Sequence, residues 1–292
     1  MLHEQLRQAE AILEASGVAS PRVDAIALAA HLLGIPDNQV GLRRREQMDA
    51  EFTRRYKELV ERRAQRVPLQ HLLGRAWFGP HEMQVGEGVF IPRPETELLA
   101  HWAAQQAFDG ALVLDVCTGT GAIAAYVAGE RRKASVYAVE LSEAAASYAE
   151  RNLAGRATLI RGDALDLETY GDLLGRVNVL VCNPPYVPES QDLQPEVYHD
   201  PHMAVFSGQS GMDFLQQWVP IAAALLVPGG VVGVEHDDSR AQATRELFAE
   251  SGQFDDISNV RDLAGRERFV MASKVSADKA QTKPSIDDGV KR

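Results

Sequence analysis

The segment Asn183-Pro184-Pro185-Tyr186 carries residue types suited to chemistry on a nitrogen atom. The Asn183 side-chain oxygen and the Pro184 carbonyl are acceptors, so the two N–H donors of one NH2 group could point at them. An amide or exocyclic amino nitrogen is a poor nucleophile because its lone pair is delocalised into a π-system. Two acceptors holding its hydrogens would favour a pyramidal nitrogen and aim the lone pair at an electrophilic carbon. Positioning and electrostatics would then carry the reaction. The prolines stiffen the segment and fix where the Pro184 carbonyl points. Tyr186 offers a flat face for a planar group. The plain alternative is a proline-rich turn whose asparagine caps a strand.

A second constellation lies upstream, in Leu114-Asp115-Val116-Cys117-Thr118-Gly119-Thr120-Gly121-Ala122-Ile123-Ala124. Gly119 and Gly121 let the backbone turn sharply and approach a ligand at a helix N-terminus. Glu140 ends the next strand, where a carboxylate can accept both hydroxyl hydrogens of an adenosine ribose. The same spacing satisfies a loose G-x-G-x-x-A dinucleotide fingerprint, so NAD and S-adenosylmethionine both fit the loop. Asp115 favours the second: a pyrophosphate would repel it, whereas an ammonium and a sulfonium can use it, directly or through an ordered loop. The Asn-Pro-Pro-Tyr tetrapeptide has no evident use in an NAD dehydrogenase and points the same way. Asp163, in Arg161-Gly162-Asp163-Ala164, is a candidate for the adenine amino group, with a plain turn aspartate as its alternative.

Other reactive types are sparse. The only cysteines, Cys117 and Cys182, cannot make a disulfide framework or a zinc site and read as small buried residues. No His or Cys pair is placed for nucleophilic or metal catalysis. Glu235-His236 ends a later strand and could face the pocket, with a supporting or packing role expected instead. Arg93-Pro94-Glu95-Thr96 reads as a helix start with Pro94 at the first helical position, or as a lid over a cofactor.

These residues need a scaffold that brings strand ends together. From residue 94 onward short apolar runs (Ala111–Val116, Val136–Val139, Thr158–Ile160, Val177–Cys182, Val231–Val234) alternate with helical stretches such as Ala144–Asn152 and Phe214–Leu226. That rhythm predicts a mostly parallel α/β sheet with ligands at the carboxyl ends of its strands. Phe254–Val260 and Arg268–Ala272 around Gly265 predict a closing antiparallel pair. Residues 1–75 show only helical periodicity, broken at Gly17, Gly34, Pro36 and Pro68. The expected organisation is a helical domain over 1–75, a hairpin linker over 76–92 around Gly86-Glu87-Gly88, an α/β domain over 93–274, and a disordered tail over 275–292.

Of the 292 residues 45% are hydrophobic and 24% charged, as in an ordinary globular enzyme. No apolar run is long enough for a membrane span, no secretion signal is visible, and a cytoplasmic monomer is expected. A net charge of −11 argues against stable nucleic-acid binding. Residues 1–75 hold 12 Lys/Arg against 10 Asp/Glu, which leaves 18 against 31 elsewhere. Arg43, Arg44, Arg45, Arg54, Arg55, Arg62, Arg63 and Arg66 read as a solvated face or a patch for an acidic or RNA-bearing partner.

From about residue 5 to 274 the chain resembles the peptide chain release factor glutamine methyltransferases, the HemK-type family. The resemblance rests on Pro68-Leu69-Gln70-His71-Leu72-Leu73-Gly74, on Val89-Phe90-Ile91-Pro92-Arg93-Pro94-Glu95-Thr96-Glu97, on the glycine loop and on Asn183-Pro184-Pro185-Tyr186. Asp200-Pro201 and Ser210-Gly211-Met212-Asp213 also resemble the family's pattern. It implies a Rossmann-like, seven-stranded class I methyltransferase domain behind a small helical N-terminal domain, whose arginines make it the candidate for substrate recognition. It implies methyl transfer from S-adenosylmethionine, releasing S-adenosylhomocysteine, to the glutamine side-chain nitrogen of the Gly-Gly-Gln loop in class I release factors. Cofactor contacts would fall on Cys117, Thr118, Gly119, Thr120, Gly121, Glu140, Ala164 and Asn183, beside Asp115 and Asp163. Substrate contacts would fall on Asn183, Pro184, Pro185 and Tyr186. Cys117 stands where relatives usually have glycine, and Ala164 where some have a tryptophan. Alternatives are an adenine-amino methyltransferase of DNA or RNA and a glutamine methyltransferase of a ribosomal protein.

Overall fold

The computed structural model describes residues 1–189 and 193–276. Most of the expected tail lies outside these residues. The chain divides into two compact units, the first comprising residues 1–76, 82–91 and 193–202, and the second 77–81, 92–189 and 203–276.

The first unit is built on α1 (Leu2–Ala15), α2 (Pro21–Leu33), α3 (Ala50–Ala64) and the short α4 (Leu69–Leu73). Local chemistry sets their ends. Pro21 occupies the first turn of α2, Gly34 closes it in the left-handed conformation, and Asp49 caps α3 by accepting from the Phe52 amide at 2.7 Å. Leu2, Leu13, Leu28, Tyr56, Val60 and Leu72 form the core. Arg63 follows Tyr56 and Val60 on the inward face of α3, and its guanidinium is buried against Asp24 at 2.7 Å and Glu196 at 3.1 Å. Arg66 binds both oxygens of Glu196. Residues 193–202, expected in the α/β domain, group with the helices, and these ion pairs supply the reason. Arg44, Arg45, Arg55 and Arg62 are exposed.

A two-stranded hairpin, β1 (Arg75–Phe78) and β2 (His81–Gln84), follows α4. Its turn is at Gly79-Pro80 rather than at the expected Gly86-Glu87-Gly88. Gly79 has φ of 52° and its α-carbon lies against the Tyr126 ring, so glycine answers both needs there.

The second unit continues with α5 (Thr96–Gln106), β3 (Leu112–Val116), α6 (Ala122–Glu130), β4 (Ser135–Glu140), α7 (Glu143–Leu153), β5 (Thr158–Arg161), β6 (Val177–Cys182), α8 (His202–Val205, whose first residue groups with the first unit), α9 (Asp213–Leu225), β7 (Leu226–Glu235), α10 (Ala241–Glu250), β8 (Phe254–Arg261) and β9 (Glu267–Lys274). The seven-stranded sheet has the order β5-β4-β3-β6-β7-β9-β8. β3 to β7 pair in parallel; β9 runs antiparallel between β7 and β8. The closing antiparallel pair is as expected, with β9 inserted inside the sheet. Leu114, Val116, Val139, Leu180, Cys182, Val232 and Val234 are buried as central strands covered on both faces must be. α5 begins at Thr96, two residues later than the position of Pro94 suggested. Residues 93–95 instead form a turn in which the Thr96 amide donates to the Arg93 carbonyl and the Glu97 amide to that of Pro94.

Candidate active site

Strand register assembles the site. Val116 pairs with Val139 on one side and with Cys182 on the other, and Cys182 pairs with Val234. The residues one step beyond, Cys117, Glu140, Asn183 and Glu235, therefore form one row along the carboxyl edge of β4, β3, β6 and β7. Four strands at their usual spacing make that row about 14 Å wide. The reversal of strand order, where α/β sheets open a crevice, falls between β3 and β6.

The glycine loop leaves β3 at Cys117, which takes φ of 58°, a left-handed conformation that glycine adopts without cost and cysteine does not. Asp115 is fully buried. Its Oδ2 accepts from the Thr118 hydroxyl at 2.5 Å and from the Ala124 amide at 3.1 Å. The carboxylate thus ties the strand end to the first turn of α6 and orders the loop. Its Oδ1 has no hydrogen-bond partner among the described residues. Burial pushes the Asp115 carboxyl up to about 7, with Thr118 and Ala124 opposing and Glu140 adding to the rise. Gly119 and Gly121 have φ of 57° and 81°. The space beside Gly119 is open, whereas a side chain at 121 would press on Leu153. Thr118 and Thr120 are buried, and Asn152 donates to the Thr120 carbonyl at 2.9 Å.

Glu140 is clamped by backbone. Its Oε2 accepts from the Gly119 amide at 2.8 Å and its Oε1 from the Ser142 amide at 2.8 Å. Each oxygen keeps acceptor capacity for a further donor, as a pair of ribose hydroxyls requires. Desolvation raises its pKa against those backbone donors. Asp163 is exposed, with Oδ1 accepting from the Leu165 amide at 2.9 Å in a local turn. Ala164 is buried in the core and its carbonyl accepts from Tyr170 at 2.7 Å.

Asn183 and Pro184 leave β6 half-buried and buried respectively, with Pro185 and Tyr186 half-buried beyond them. The tetrapeptide is backed by residues 205–211. Val187 donates to the Val205 carbonyl and accepts from the Ser207 amide, both at 3.0 Å. Gly211 has φ of 72°, and a Cβ there would come within 2.3 Å of the Tyr186 carbonyl oxygen. The sequence favours a supporting or packing part for Glu235 over a place in the pocket, and gives Thr96 a part only in a helix start or a cofactor lid. In the structure the Asn183 Nδ2 donates to Thr96 Oγ1 at 3.2 Å, Thr96 donates to Glu235 Oε2 at 2.7 Å, and the Tyr186 hydroxyl donates to Glu235 Oε1 at 3.2 Å. Both Thr96 and Glu235 are buried. His236 is buried with Nδ1 at 2.9 Å from the Asp237 carbonyl. Among the described residues no cluster suited to a metal ion is present.

The loop and row fit an elongated cofactor with a ribose diol and a cationic end. Glu140 keeps the acceptor capacity that such a diol needs, the space beside Gly119 is open, and Asp115 holds the loop from within. No helix among the described residues is long and apolar enough to cross a membrane.

Residues 4–74 match the PrmC N-terminal domain family and residues 94–200 the Methyltransferase small domain family. The chain is 50% identical over 280 residues to a release factor glutamine methyltransferase of Corynebacterium glutamicum, covering 94% of this chain and 99% of that protein. Proteins of the same description from Mycolicibacterium smegmatis and Mycobacterium tuberculosis are 45% and 42% identical, each over 94% of this chain and over 98% and 91% of their own lengths. The chain belongs to the release factor glutamine methyltransferase family.

Proposed function

We infer that this chain transfers a methyl group from S-adenosylmethionine to the side-chain amide nitrogen of the glutamine in the Gly-Gly-Gln motif of class I release factors. The observation that carries the reading is the placement of Asn183-Pro184-Pro185-Tyr186 on the strand next to the one bearing the glycine loop, in one row with Glu140. When bound, the cofactor supplies a sulfonium-activated methyl. Glu140 would hold its ribose diol, the 117–121 loop its amino-acid end, and Asp115 would keep that loop in shape. The Asn183 Oδ1 and the Pro184 carbonyl would accept the two amide hydrogens of the substrate glutamine. That removes the freedom of the NH2 group to rotate and favours a lone pair pointing out of the amide plane. Tyr186 would lie against the planar amide. The methylated nitrogen then carries an extra positive charge until a proton leaves, and the neighbouring acceptors favour that state.

Family membership and an acidic chain support this over base methylation, for which a broad basic face would be needed. The same features support a cytoplasmic enzyme acting on a protein partner without stable nucleic-acid binding. Incubation with methyl-labelled cofactor, purified release factor and DNA in one vessel tests it. Mass spectrometry should place the label on the glutamine of the Gly-Gly-Gln peptide. Label in DNA and none in release factor would refute the assignment.

A further inference from the structure

We propose that the Glu235 carboxylate, acting through the Thr96 hydroxyl, is a positioning group that dictates which edge of the Asn183 amide faces the substrate. This rests on the methyltransferase reading above and adds to it what the tetrapeptide alone does not supply. A side-chain amide can turn by half a rotation and exchange its oxygen for its NH2 group at almost no steric cost. In one orientation Asn183 offers the substrate nitrogen an acceptor, in the other a donor facing a donor.

The hydrogen-bond chain is directional. An ionised carboxylate only accepts. Glu235 Oε2, 2.7 Å from Thr96 Oγ1, therefore takes the single hydroxyl proton of Thr96. Thr96 then has only lone pairs to offer Asn183, and the atom 3.2 Å away must be the NH2 group. With Nδ2 so engaged, Oδ1 is left for the substrate. The other oxygen of Glu235 is occupied by the Tyr186 hydroxyl at 3.2 Å, so one carboxylate holds both ends of the tetrapeptide.

The fold delivers Thr96 to this place through helix packing. Gly233 and Glu235 are two residues apart on β7 and share one sheet face, while Thr96 and Leu99 are three apart on α5 and share one helix face. A Cβ at Gly233 would sit 2.8 Å from Leu99 and 2.6 Å from Trp102. The missing side chain at 233 thus lets α5 settle closely enough for Thr96 to reach Glu235.

A neutral Glu235 breaks the logic. Its proton can sit on Oε2 and donate to Thr96, whose own proton is then free for the Asn183 oxygen, and the amide turns. Burial raises the Glu235 carboxyl to about 7, with Thr96, Tyr186 and Arg268 of β9 opposing and Glu95 reinforcing the rise. The Cys182 thiol of β6 is buried and feels the Glu235 charge, and burial lowers the pKa of the adjoining His236. Methyl transfer should therefore fall as pH drops through 7, because the acceptor edge is present only while Glu235 is ionised.

Two kinds of measurement test this. Kinetics on release factor should show Thr96→Val lowering kcat by about 10- to 100-fold with KM for the cofactor changed by less than about threefold. Thr96→Ser should restore most of the rate. Glu235→Gln should be slow and should lose the acidic limb of the wild-type pH profile. Full kcat in Thr96→Val, or the same acidic limb in Glu235→Gln, would overturn the proposal. The second measurement needs no turnover and no variant. Side-chain amide NMR signals of Asn183 in the wild-type protein should show hydrogen-bond protection at pH 8 that is lost below pH 6. Amide signals unaffected by pH would overturn the proposal even if Thr96→Val did not fold. Wild-type inactivity on release factor would instead sink the parent reading and leave the NMR result to judge the relay.

Discussion

Asp115 shows how one side chain joins stability to function at the site. Its carboxyl is raised from 3.8 to about 7 by burial. Between those values the folded chain keeps a proton that the unfolded chain has released. The stability that proton brings is complete below about pH 4 and is lost as pH climbs through 7. Asp115→Asn keeps an acceptor for Thr118 and Ala124 but cannot titrate. Its melting temperature should fall less between pH 5 and pH 8 than that of the wild type, by the equivalent of a few kcal/mol at most. An unchanged slope would show that Asp115 does not titrate in this range. Cys117 makes a second residue-scale case. Its left-handed backbone would suit glycine, so Cys117→Gly should leave stability within about 1 kcal/mol, with relief of strain set against a freer unfolded chain. Calorimetric unfolding checks it. At this scale the sequence shows the glycines, both carboxylates and the tetrapeptide, because each is read from local spacing. The Thr96–Glu235 and Asn183–Thr96 contacts, 139 and 87 residues apart, leave no local trace.

Elements position these groups through close approaches that only small residues allow. Gly211 combines a positive φ with contact against the Tyr186 carbonyl, so the 205–211 segment acts as the back wall of the tetrapeptide. Gly211→Ala should cost about 1–3 kcal/mol and lower kcat more than cofactor affinity, which unfolding curves and calorimetric titration would separate. Equal kcat would mean that the wall does not set the loop. The alternation of strands and helices was readable because parallel strands buried on both faces are continuous apolar runs. The hairpin turn was misplaced because Gly86-Glu87-Gly88 offers turn residues as good as Gly79-Pro80. What distinguishes Gly79 is the Tyr126 ring against it, a tertiary fact.

Across the molecule, charge is divided between internal and external duties. Helical phase explains the division on α3: Arg63 falls in line with Tyr56 and Val60 and is buried with Asp24, whereas Arg62 lies off that line and is exposed. Asp24→Ala would strand a buried guanidinium and should destabilise by about 3–5 kcal/mol, measurable by denaturant unfolding. A loss under about 1 kcal/mol would mean that Glu196 alone suffices for Arg63. The exposed Arg44 and Arg62 are the residues for which partner contact is expected. Their joint reversal to Glu should raise KM for release factor with KM for the cofactor unchanged; equal values would exclude them. The account as a whole rests on the acceptor pair at the end of β6. Single-turnover methylation of release factor by Asn183→Ala, with cofactor affinity measured on the same preparation, tests that pair most directly. The expected result is a rate lowered by about 100-fold or more with affinity nearly unchanged. A variant that methylates the Gly-Gly-Gln glutamine at the wild-type rate would contradict it.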